Sequence, residues 1–144
     1  MKHREFLSQL DDAKIVQAIG AAEMKSSGEI RVFVSSRKVE DALGTARREF
    51  TRLGMAKTRE HNGVLLFFAP LSQRFAIVGD TAIHEKCGDA FWQEIAVCMS
   101  GRLKKGEYTD AILLAVQKVG DLLARHFPHA PDDQNELPNQ VVRD

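Results

Sequence analysis

The sequence predicts an α/β domain with helices on both faces of a small mixed sheet. Three observations predict it. Segments of helical and strand period follow one another in the order α-β-α-β-β-α-α-α; "VLLFFA", Val64 to Ala69, is a continuous apolar run of β-type length; and the four residues Pro70 to Gln73 turn that run into a second strand, "RFAIVG".

The first helix lies in "SQLDDAKIVQAIGAAEMKSSG". Ser8 with Asp11 three residues later resembles a capping box, Ile15, Ile19 and Ala22 repeat at helical spacing, and Gly28 stops the element. "EIRVFVSS" alternates, with Ile30, Val32 and Val34 on one face, and reads as a strand. A second helix carries Leu43, Ala46, Phe50 and Leu53 and ends at Gly54. "GVLLFFA" lacks alternation, which suits a central strand covered on both faces. After Asp80 come a short helix, a longer one from about Asp89 to Lys105 with Phe91, Ile95, Cys98 and Met99 inside, and a last one from about Tyr108 to His126 with Ile112, Val116, Val119 and Leu123 inside. The organisation is thus a folded domain over residues 1–128 and a polar, Pro-punctuated tail over 129–144.

Composition bounds the function classes. The chain has 144 residues, enough to close one hydrophobic core, and its 20 Lys plus Arg balance 20 Asp plus Glu. No global field therefore draws it to nucleic acid or acidic membranes. The longest apolar run falls far short of the about 20 residues that span a bilayer, and "MKHREFLSQLDD" has no apolar core of a signal peptide. The expectation is a soluble, cytoplasmic protein without membrane insertion. Cys87 and Cys98 are eleven residues apart without CxxC or CxxH spacing, which favours two buried reduced thiols over a zinc or redox site.

The strand order places chemistry at one rim. The first two strands, joined through a helix, run parallel with a right-handed crossover, and the third returns antiparallel. Asp80, at the end of the third strand, then shares an edge with Glu29 at the start of the first and with Glu60, His61 and Asn62 just before the second. His84, Glu85 and Asp89 begin on the same edge. Oxygen-rich rims suit Ca²⁺, which takes six to eight oxygen ligands in irregular geometry; Asp80, Glu85 and Asp89, with Asn62 or a backbone carbonyl, would supply them. Carboxylates crowded this way repel, so some should titrate high without a cation. The competing reading is that Asp80 and Asp89 cap helices. Both stand at this point.

Other motifs exclude chemistry. There is no GxxxxGK[ST] loop, no GxGxxG after a strand, no HExxH, and neither cysteine opens a phosphate loop closing on Arg. Arg47, Arg48, Arg52, Lys57 and Arg59 form a basic run, but Glu49 and Glu60 interrupt it, as on a solvated helix face.

"SSGEIRVFV", "HNGVLLFFAP", "RFAIVGD", "FW" and "LKKGEYTDAILLAVQKVGDLLARHFP" fall in an order that resembles the TPM domain, over about residues 8 to 128, and "DDQNELPN" looks like its short, soluble bacterial branch. The resemblance implies a three-layer α/β/α sandwich with carboxylates at one end of the sheet, and Ca²⁺ binding or acid phosphatase activity as in some members. It also implies membrane-associated protein partners. Two departures stand out: His61 where many members carry Asp, and Asp80-Thr81 where many have a turn with Gly and Tyr. The reading is a module that binds a divalent cation, Ca²⁺ or Mg²⁺, in an accessory or regulatory role. Its alternatives are a metal-assisted phosphomonoesterase, with Asp80 and Asp89 holding the cation that polarises a phosphoryl oxygen, and an interaction domain with no site.

Overall fold

Asp11 accepts the Lys14 N–H on its carboxylate at 3.1 Å and starts helix α1, Asp12–Glu23. Asp11 is thus itself the cap, where the spacing assigns Ser8 that role; an Asp at this position satisfies the third orphan N–H of the helix directly. This is a computed structural model, and it describes residues 8–88, 90–129 and 137–144. Strand β1, Glu29–Val34, is followed by α2, Ala42–Arg52, capped by Asp41 through the Gly44 N–H at 3.0 Å. The helix gives way at Gly54, whose φ of 73° is the left-handed conformation that suits glycine. Next come β2, Gly63–Ala69, a 3₁₀ turn at Pro70–Ser72, and β3, Arg74–Gly79. Helices α3, Thr81–Cys87, α4, Ala90–Lys104, and α5, Tyr108–His126, lead to a last short strand, β4, Val142–Arg143.

The sheet order is β3-β2-β1-β4. β1 and β2 are parallel, and β3 returns antiparallel on β2, with Leu66 opposite both Val32 and Ile77. All seven residues of β2 are buried. Val64, Leu66 and Phe68 face the larger core, built from α1, α3, α4 and α5; Leu65, Phe67 and Ala69 face the smaller one, closed by Ala46 and Phe50 of α2. Burial on both faces is why the strand reads as an unbroken apolar run. The result is the expected α/β/α sandwich, its two helical layers unequal.

β4 was not expected. The segment read from the sequence as polar tail pairs parallel with β1, Phe33 opposite Val142 and Val34 opposite Arg143. Val141 packs on the larger core and Val142 on the smaller, so two adjacent valines serve opposite faces, as strand geometry requires. Arg143 Nη2 reaches both carboxylate oxygens of Asp12, at 2.8 and 3.0 Å. Ile95, Met99 and Leu103 of α4 are buried, whereas Cys98 of α4 and Cys87 of α3 are free and only half-buried.

Candidate functional site

The antiparallel return of β3 builds the rim. Gly79 lies opposite Val64 and Glu29 opposite Gly63, so the starts of β1 and β2 and the end of β3 share one edge. The Asp80 N–H extends the ladder by donating to the Gly63 carbonyl at 2.9 Å. Gly79 is a close approach: a Cβ there would lie 3.0 Å from Ile83 Cγ2 and 3.2 Å from the Trp92 ring. Absence of that Cβ lets α3 and α4 press onto the strand end and seat Asp80.

Asp80 caps α3. One carboxylate oxygen accepts the Thr81 N–H at 2.7 Å. The other, Oδ2, is buried, has no hydrogen-bond partner and lies 3.7 Å from His61 Nδ1. His61 holds a left-handed backbone, φ 52°, and its carbonyl accepts the Ala82 N–H at 3.2 Å. Asn62 is buried and its amide donates to Ser27 Oγ at 3.0 Å and Glu60 Oε2 at 3.4 Å. Asp80 and His61 therefore meet at the rim, while the Asn62 amide is turned to Ser27 and Glu60. Glu85 and His84 are exposed on α3, and Asp89 lies outside the described residues. Among the described residues no three His, Cys, Asp or Glu side chains stand together as a metal-holding group.

The crowded carboxyl group is a different one. Glu23, the last residue of α1, is held by the Ile30 N–H on Oε2 at 3.2 Å. Burial, then its hydrogen bond to Glu29 and the charge of Glu29, push its pKa up to about 9, against hydrogen bonds from Ile30 and the Asn139 side chain. Arg31, 7% exposed, faces this pair; burial lowers its pKa while Glu23 and Glu29 pull it back up. Glu23 is a residue that sequence reasoning missed, although its signal was present. It falls at i+8 and i+4 from Ile15 and Ile19, on the apolar stripe of its helix.

A separate groove of about 290 Å³ runs between α1 and α5, lined by Ala18, Ala22, Val116 and Gly120 with Lys25 and Asp121 also in its wall. It shares no residue with the rim.

The model of the TPM domain family matches residues 1–122. Among solved structures, the BA42 protein from the psychrophilic bacterium Bizionia argentinensis is 33% identical, with 94% of this chain and 96% of that one covered and a TM-score of 0.87. The N-terminal domain of a P. gingivalis protein, 16% identical, covers 79% of this chain and 75% of its own with a TM-score of 0.61, a likeness of fold alone. No curated protein matches the chain.

Proposed function

Because the chain belongs to the TPM domain family, we propose that it acts as a binding module taking a divalent cation, Ca²⁺ or Mg²⁺, at the rim, in an accessory role rather than as a catalyst. Asp80 is the anchoring ligand, with Asn62, Glu85 and Asp89 as the further ligands. One observation carries this reading: Asp80 Oδ2 is a buried acceptor at the sheet edge without a hydrogen-bond donor. Leaving such an acceptor unsatisfied costs about 1–3 kcal/mol, more for a charged group, and a hard cation is the partner that suits a carboxylate oxygen beside backbone carbonyls. The helix cap and the ligand role are compatible, because the cap uses one oxygen and leaves the other.

Thermal melts with and without millimolar Ca²⁺ or Mg²⁺ test it. A cation at a hundred times its Kd should stabilise the fold by about 2.7 kcal/mol. Asp80→Asn should abolish the rise and still cap α3, since Asn caps nearly as well as Asp. A wild-type protein indifferent to all divalent cations would leave Asp80 as a helix cap only. Hydrolysis of a generic phosphate ester that is lost with Asp80→Asn would make the phosphomonoesterase the better reading.

A further inference from the structure

The opposite edge of the sheet, where β1 and β4 end, holds a carboxylate in a cradle. Ser35 Oγ–H donates to Asp144 Oδ2 at 2.6 Å, and the Ser36 N–H and Oγ–H both donate to Oδ1, at 2.5 and 2.9 Å. Ser36 Oγ also lies 3.4 Å from the Asp144 carbonyl oxygen. The cradle is built rather than incidental. The Ser35 N–H is tied to the Phe68 carbonyl of β2 at 2.8 Å, which fixes the turn to the sheet, and Ser35 is only 2% exposed. Its hydroxyl oxygen accepts the Arg37 N–H at 3.2 Å, so its single proton is directed at the anion.

The electrostatics of the carboxylate agree. Burial opposes ionisation of Asp144, yet the hydrogen bonds from Ser35 and Ser36 and the charge of Arg37 hold its carboxyl below the usual range. Arg52 at the end of α2, engaged chiefly by Glu49, also feels the Asp144 charge. Three hydrogen-bond donors converging on two carboxylate oxygens is the chemistry of an oxyanion site. Its position agrees: open α/β sheets take ligands outside the carboxyl ends of their strands, where neighbouring connections diverge. Here β1 leaves towards β2 through α2, while β4 lies on its other side. The occupant is tethered by a two-residue strand, by Val141 and Val142 packed at the margins of the two cores, and by the Arg143–Asp12 pair at the surface.

We propose that the turn Ser35–Ser36–Arg37 is an oxyanion-binding site for a phosphate or carboxylate group, and that Asp144 fills it from within, so that an external anion enters as β4 lifts. The site is remote from the Asp80 rim and does not depend on a cation there.

The test follows backbone amide signals of the full chain by NMR during titration with inorganic phosphate, ionic strength held constant with sodium chloride. Asp144→Ala should show saturable movement of the Ser36 and Arg37 signals, at least tenfold weaker in the wild type, and adding Ser35→Ala and Ser36→Ala should remove it. Asp144→Asn, which keeps the shape and loses the charge, should respond between the two and guards against a disrupted edge in the alanine variant. A parallel acetate titration assigns the source: a response to acetate as strong as to phosphate points to a carboxylate ligand, a stronger phosphate response to a phosphoryl group. Equal responses in wild type and both variants, no response in any, or movement centred on Arg47 and Arg48 that survives loss of both hydroxyls would overturn the proposal.

Discussion

Glu23 shows how a single side chain sets a pH dependence. Its carboxyl is raised from 4.5 to about 9 in the folded state, so the folded protein binds a proton the unfolded chain has released. The stability linked to that proton is fully present below about pH 4.5 and is lost as pH rises towards 9. Glu23→Gln keeps the shape without the ionisation and still offers Glu29 a hydrogen-bond donor. Urea melts from pH 5 to 9 should therefore fall more steeply for wild type than for the variant, with the variant the more stable at pH 9. Parallel slopes would remove Glu23 from the account. The residue was legible as a Glu on the stripe of Ile15 and Ile19, but its consequence was not, because Glu29 and Arg31 reach it only through the fold. Asp80 is the converse: its place at the rim follows from strand order alone, whereas the partnerless Oδ2 depends on how α3 packs.

Among the elements, the β2–β3 hairpin was the most legible, since its two runs and its Pro turn are local signals. Leu66 is fully buried between Val32 and Ile77. Leu66→Ala should cost about 2–5 kcal/mol, as cavities in well-packed cores do. A loss below about half a kcal/mol in urea melts would contradict its central place. β4 was illegible for an equally physical reason. Two paired residues between polar, Pro-punctuated neighbours carry too little intrinsic β preference, and what makes them a strand is the neighbour they find across the sheet. The cradle of Ser35 and Ser36 was hidden with it, because its anion comes from Asp144.

At the scale of the molecule, balanced charge leaves recognition to local features, and the two edges of the sheet hold opposite ones: a carboxylate rim at Asp80 and a donor-rich turn at Ser35. No helix among the described residues is long and apolar enough to cross a membrane. The sandwich was readable from periodicity, and the TM-score of 0.87 at 33% identity places this chain on the same architecture as the BA42 protein. The late fourth strand has a consequence for the order in which the sheet comes apart. β2 is locked on both sides by pairing with strands nearer in sequence, but β4 meets β1 only by closing a loop of more than a hundred residues, an entropic cost offset by two residue pairs, the packing of Val141 and Val142, and the contacts of Arg143 and Asp144. The expected outcome is that such a strand detaches in sub-global fluctuations before the sheet melts. In native-state hydrogen exchange the amides of Val142 and Arg143 should lose protection at least tenfold faster than those of Leu65 to Phe68; equal protection would mean that the sheet opens as one unit. Faster exchange there would mean an open form with three strands and a bare edge on β1, whose population would set how readily another chain can add a strand.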